Sequence, residues 1–306
     1  MRHLLPQQAA LEITKPVFLG NNMIIIGNKM SGIKAEVVAD SISEFGDRLT
    51  TMQITVHRYV WAEFMTHRVF SRNASSSRAI PVSKILKQVW LNPAIPILWG
   101  SNKPGMQAGD ELDGFSKKLA EFVWRLSAKV ACCFVYILMK VGLHKQWANR
   151  ILEPWLFITA IVSATEWDNF FALRIHPAAL PEFSELAFKM KQVRDESIPK
   201  ILKEGEWHLP YIRECDNKFL DLEVLTSISA ARCCRVSYLN HENKNSSLED
   251  DINLCSKLKS AKPIHASPFE HSATPMKGKH GNFTGWKQQR QFIEEGRYAG
   301  VYNANQ

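Results

Sequence analysis

The stretch Leu49-Thr-Thr-Met-Gln-Ile-Thr-Val56 limits the fold more than any other. It holds β-branched residues without glycine or proline and closes an alternating segment, residues 34–56, so it reads as a strand. The neighbouring segment is of another kind. Tyr59 to Arg68 places Trp61, Phe64 and Met65 at helical spacing, and about Phe115 to Val141 reads as a long helix, amphipathic at first and apolar later. Strand and helix thus share one chain of 306 residues, long enough to bury a substantial core.

The first 30 residues show no periodicity and read as an arm or edge strand. Residues 89–113, with Pro93, Pro96 and Pro104, read as a long loop. Apolar residues 147–173 suggest further core helix, and Glu182 to Leu202 an amphipathic one. The polar, aromatic region 204–222 reads as a linker. It divides a main part, residues 1–210, from a smaller C-terminal part, residues 211–306. Helices are expected from Leu222 and over about 248–259, and residues 276–306 look only partly ordered.

At 45% hydrophobic and 22% charged residues, this is not a disordered chain. Lys and Arg outnumber Asp and Glu 38 to 30 but are spread along the sequence. That spread favours a small anion such as a nucleotide over a nucleic acid, which calls for a concentrated basic stripe. The six cysteines form no C-x-x-C pair, so a metal site is not indicated and reduced thiols of a cytoplasmic protein are. Cys132 and Cys133, in an apolar helix, read as inert core. Cys233 and Cys234 lie between Arg232 and Arg235, which could lower a thiol pKa and yield a nucleophile. Residues 1–20 show no basic-then-apolar leader. The longest apolar run, Val130 to Met139, is too short to cross a bilayer and reads as buried helix, so no membrane association is expected.

The densest polar cluster is His67, Arg68, Ser71, Arg72, Asn73, the three serines at 75–77, and Arg78. Guanidinium forks and hydroxyls suit phosphate oxygens; the same composition also describes a solvated, capping-rich loop.

The string Thr66-His-Arg-Val-Phe-Ser-Arg-Asn-Ala-Ser-Ser-Ser-Arg78 resembles the signature of flavin-dependent thymidylate synthases, R-H-R followed after seven residues by S. Three more blocks are similar to that family. They are Arg150-Ile-Leu-Glu-Pro154, Asn169-Phe-Phe-Ala-Leu-Arg174, and the pair Arg235-Val-Ser-Tyr238 with His265-Ala-Ser-Pro-Phe-Glu-His271. The last pair precedes the signature in ordinary members and follows it here, which points to a permuted or partly duplicated chain, as in phage-type relatives. Gly285-Trp-Lys-Gln-Gln-Arg290 stands where a second, decayed signature would fall. As a structural alternative, His265 to His271 is also a turn with a helix-capping box, Ser267 at the cap and Glu270 three residues on.

This resemblance implies an α+β fold: a twisted antiparallel-rich sheet with long helices packed on one face. It implies that His67, Arg68, Asn73, Asn169, Ser237, His265, Ser267 and Glu270 face FAD. Glu63, Ser76, Arg78, Arg150 and Arg174 would hold a deoxypyrimidine monophosphate, dUMP before dCMP, with Arg174 polarising the ring for attack. Methylenetetrahydrofolate would donate the carbon, NADPH the electrons, and the assembly would be a homotetramer. Four departures stand out: Thr66 for the first Arg, Ala74 for an acidic residue, Glu63 for Gln, and Ser163 with Thr165 in place of N-A-R. They leave open a dCMP substrate, hydroxymethylation at C5, and a non-catalytic nucleotide-binding relative.

Overall fold

The computed structural model describes residues 15–19, 22–26, 31–217, 220–236 and 246–303. Ser237, expected at the flavin, lies outside them. In chain order the first elements are the hairpin β1 (Lys15–Leu19) and β2 (Asn22–Ile26), β3 (Lys34–Ser43), β4 (Arg48–His57), α1 (Trp61–Phe64) and β5 (Ser71–Ala74). Next come α2 (Val82–Leu91), α3 (Gly114–Lys140), α4 (Lys145–Ala148), β6 (Phe157–Ala164), α5 (Asp168–Arg174), α6 (Pro181–Glu196) and β7 (Lys200–Leu202). The last are α7 (Glu214–Asn217), α8 (Leu222–Arg235), α9 (Leu248–Ser260), the hairpin β8 (Ala273–His280) and β9 (Phe283–Gln288), and α10 (Gln289–Asn303).

The fold is α+β. Its centre is a five-stranded sheet in the order β5-β6-β4-β3-β7, antiparallel except for the short β3–β7 pair. The strand expected at 49–56 is β4, at the middle of this sheet. Period-two alternation sends Met52, Ile54 and Val56 to one face, where they meet Phe170 of α5 and Phe183, Leu186 and Met190 of α6 in the main core. The opposite face is polar along Thr51, Gln53 and Thr55, and residues beyond 207 cover part of it, reaching β5, β6 and β4. There Leu49 packs with Ala273, Phe283 and Trp286.

A buried row of hydrogen bonds sews this junction. Ser41, His208, Thr51, Ser163 and His271 follow one another through contacts of 2.9, 2.8, 2.6 and 2.9 Å, each residue at most 4% exposed. A second polar knot joins the C-terminal helices: Arg232 of α8 reaches Asp216 of α7 at 2.5 Å and Asp251 of α9 at 3.0 Å, and Arg235 shares Asp251 at 2.7 Å.

Several sequence expectations change. Residues 147–173 are not continuous helix: β6 runs through them as an inner strand, buried on both faces and so without alternation. The polar signature is not all loop, since β5 forms the sheet edge within it. Residues 276–306 contain a hairpin and a helix. The segment Val130 to Met139 is not buried: Ala131, Cys132 and Val135 are, while Val130, Cys133, Phe134, Tyr136 and Ile137 are exposed. The vicinal thiols of α8 also behave differently. Burial pushes Cys233 far up and Cys234 up to about 11, the latter against the pull of Arg235, so neither is an activated nucleophile.

Candidate functional site

The short helix α1 ends in a turn that delivers the chain to edge strand β5. Thr66, which replaces the first Arg of the family signature, donates its hydroxyl to the Glu63 carbonyl at 2.7 Å and closes this turn. Arg72 folds back beneath it and donates Nη1 to the carbonyls of Met65 and His67 at 3.2 and 2.9 Å, where the helix end leaves acceptors free.

His67 therefore points inward, against Phe70, Phe170 and Phe183. Arg174, the last residue of α5, donates Nε to His67 Nε2 at 2.9 Å, lies over the Phe183 ring at 4.4 Å, and places Nη1 3.3 Å from Glu63. Burial first, then the Arg174 and Arg72 cations, lower His67 to about 4. The ring is neutral at pH 7, accepts at Nε2 and carries its proton on Nδ1.

The relocated C-terminal block comes to the same edge. The 3-10 turn Ser267–Glu270 packs on β5, and the Glu270 carboxylate supports the Arg72 charge while binding Arg290 at 2.5 Å. Gln288 ties the two together, donating to Ser71 Oγ and the Glu270 carbonyl, both at 2.9 Å. Asn73 is buried and turns its amide to the Cys233 carbonyl at 3.5 Å, while His265 and Ser267 are exposed.

Farther along, Ser77 donates to Glu153 at 2.7 Å, and Arg58 and Arg150 reach the same carboxylate at 3.1 and 3.2 Å. Asn149 holds the loop by donating to the Ser77 and Ile80 carbonyls. Ser76 is half-buried beside this group, and Arg78 is exposed, with no partner among the described residues.

Glu63, His67 and Arg174 thus touch, Glu270 comes to the neighbouring β5 strand, where Gln288 bonds its carbonyl and Ser71, and Arg150 reaches Glu153, with Ser76 and Arg78 flanking Ser77 in sequence. Asn169 is exposed on α5 and makes no bond to the others among the described residues. Sequence reasoning placed Arg72 in the polar cluster and Gln288 and Arg290 in the decayed second signature but gave none of the three a site role. It also missed a 760 Å³ cavity on the polar face of the sheet, lined by Thr55, Ser75, Ser77 and Thr159, with Lys34 and Arg58 beside them. None of the predicted site residues lines it. Small polar residues at alternate positions, Ser75 and Ser77, were its one signal.

Exposed Arg68, Asn169, His265 and Ser267 suit the diphosphate and polar chain of a flavin nucleotide. The N-A-R positions offer less. Ser163 is spent in the buried row, with no hydroxyl left for an isoalloxazine ring, and Thr165 already accepts from the Thr284 N–H at 3.1 Å, which leaves it its hydroxyl hydrogen.

No family model matches this chain, and no curated protein matches it. Among solved structures it is similar to the UMP/dUMP methylase PolB from Streptomyces cacaoi bound with 5-Br UMP, at 16% identity and a TM-score of 0.45 over 54% of this chain and 89% of that chain. The same methylase bound with 5-Br dUMP gives 14% and 0.44 over 54% and 90%.

Proposed function

We propose that this chain is an enzyme that transfers a one-carbon unit from methylenetetrahydrofolate to C5 of a deoxypyrimidine monophosphate, dUMP first, with FAD and NADPH. The observation that supports this most is the meeting of sequence-distant blocks at one sheet edge: Glu63 and His67 with Arg174, and the Ser267–Glu270 turn with β5, where Gln288 bonds both Ser71 and the Glu270 carbonyl.

In this reading Arg174 stabilises charge that develops on the pyrimidine as C5 attacks. His67 is a positioning residue, since its only free lone pair is already given to Arg174. Ser76, Arg78 and Arg150 hold the phosphate. Arg68, Asn169, His265 and Ser267 hold the flavin nucleotide, which when bound supplies the hydride chemistry.

The test is an absorbance spectrum of purified protein supplied with FAD, followed by NADPH, then dUMP or dCMP with methylenetetrahydrofolate and product mass. Flavin uptake, bleaching by NADPH and a mass gain on dUMP are expected. Gain on dCMP, or of a hydroxymethyl group, redirects the substrate or product assignment; failure to take up FAD overturns the reading. A non-catalytic nucleotide-binding relative is the second reading, favoured by the internal use of Ser163 and Thr165. It predicts dUMP binding without turnover.

A further inference from the structure

The 760 Å³ cavity lies between the polar face of the central sheet, the 92–99 loop, α2 and the first half of α3. Its size suits a whole nucleotide-sized molecule rather than a few waters. The sheet forms a floor that offers hydrogens. Ser75 follows β5, Thr159 lies in β6 and Thr55 in β4, side by side across the sheet. Ser75 Oγ accepts the Thr159 N–H at 3.1 Å and gives its own hydrogen to no acceptor among the described residues. Thr55 and Thr159 share one hydroxyl bond at 3.1 Å, which uses one of their two hydrogens. Above the floor the wall is apolar and aromatic, with Ile95, Ile97, Trp99 and Phe157 half-buried. Gly32, at φ +73°, lets the chain pass the Phe157 ring where a Cβ would lie 2.6 Å from it.

The charge of the lining is positive. Lys34, Arg58, Lys117 and Arg125 stand against Glu111 and Glu185. Both carboxylates are engaged, Glu111 by Lys117 at 2.7 Å and Glu185 by Lys189 at 2.8 Å, and Arg125 has Glu121 at 2.9 Å. The excess therefore rests on two residues. Lys34 is exposed and has no partner among the described residues, and Arg58 shares Glu153 with Arg150.

We propose that this cavity is a second ligand site, for a planar aromatic molecule of nucleotide size that carries a phosphate or a carboxylate. Rings in the wall select a flat body. The hydroxyl hydrogens of the floor select acceptors on its edge, and Lys34 and Arg58 select the negative group. None of Glu63, His67, Arg174, Ser76, Arg78 and Arg150 lines the cavity, so the site is separate from the sheet edge and does not rest on the reaction proposed there.

The test is titration calorimetry of the full chain. The four ribonucleoside 5′-monophosphates form the phosphate arm and 4-aminobenzoyl-glutamate the carboxylate arm; the neutral nucleosides and inorganic phosphate are controls. At least one aromatic anion should bind, once per chain, and the controls about 10-fold more weakly or not at all. The arm that binds names the source of the negative group. Lys34→Glu should weaken that binding about 10-fold and Ser75→Ala several-fold, with far-ultraviolet circular dichroism unchanged, since Lys34 faces solvent and Ser75 loses one hydroxyl. Arg78→Ala and Arg174→Lys, at the sheet edge, should leave it as it was. Silence in both arms overturns the proposal. So does binding that Lys34→Glu or Ser75→Ala leaves unchanged, binding that either sheet-edge variant removes, or a control that binds as tightly. Failure to take up FAD bears on the proposed reaction alone.

Discussion

Arg174 donates its Nε hydrogen to His67 Nε2 at 2.9 Å, across 107 positions of sequence. This contact decides what each residue can do. A His67 that accepts from Arg174 has no second lone pair for a ligand, and an Arg174 anchored at Nε, with Nη1 toward Glu63, keeps Nη2 to aim at a substrate.

Arg174→Lys keeps the charge but cannot bond His67 and a pyrimidine together. Turnover of dUMP should fall about 100-fold with little change in folding. His67→Ala should cost about 10-fold in kcat with KM nearly unchanged, and His67→Gln, which retains an acceptor, should recover part of it. Steady-state kinetics read both; equal loss in Ala and Gln variants would count against a positioning role.

Arg78→Ala and Arg150→Ala each remove an exposed cation, the second from the Ser77–Glu153 group. Each should raise the KM or Kd for dUMP about 10-fold, corresponding to one charge-assisted bond, and leave kcat alone. Binding of deoxyuridine, which lacks the phosphate, should not change.

Acid should destabilise the protein through buried imidazoles. Burial lowers His57 and His67 to about 4 and His208 and His271 to about 3, against 6.5 for free histidine. The unfolded chain therefore binds more protons below pH 6.5, and stability present above that pH is lost as pH falls toward 3. The loss should reach several kcal/mol, read as a falling urea midpoint. A His208→Asn, His271→Asn protein should show a shallower fall; an identical slope would remove these two rings from the explanation.

Arg232→Leu strands the buried Asp216 carboxylate and leaves buried Asp251 with Arg235 as its one cation among the described residues. The expected cost is about 3–5 kcal/mol in urea unfolding. Adding Asp216→Asn and Asp251→Asn should return a large part of it.

Gly285 sits at φ +76° in the β9 strand, where a Cβ would overlap the Asp47 carboxylate. Gly285→Ala should cost about 1–3 kcal/mol, and less in an Asp47→Gly background, where only the backbone strain remains.

The sequence made β4 and α3 legible because each keeps one period for long enough. It hid β6 because both faces of that strand are buried, which erases alternation and makes Phe157–Ala164 read like core helix. It hid β5 because serine and asparagine look like loop whether or not they pair. The α3 side chains misled in another way: apolar character records what must be covered, not whether this chain alone covers it. Motif resemblance located Glu63, His67, Arg174 and Glu270, whereas Arg72, Gln288 and Arg290 meet them only through folding.

The row from Ser41 to His271 has a direction. His271 Nε2 is buried without a partner among the described residues, and a lone pair there costs less than a stranded hydrogen. That puts the His271 proton on Nδ1. Ser163 then donates to Thr51, Thr51 to His208 Nε2, and His208 Nδ1 to Ser41. Every hydroxyl is locked in one rotational sense by its neighbour, so loss of any single member frees the rest to reverse. The central sheet and the C-terminal segment are in this way held as one cooperative unit, and should melt in a single step.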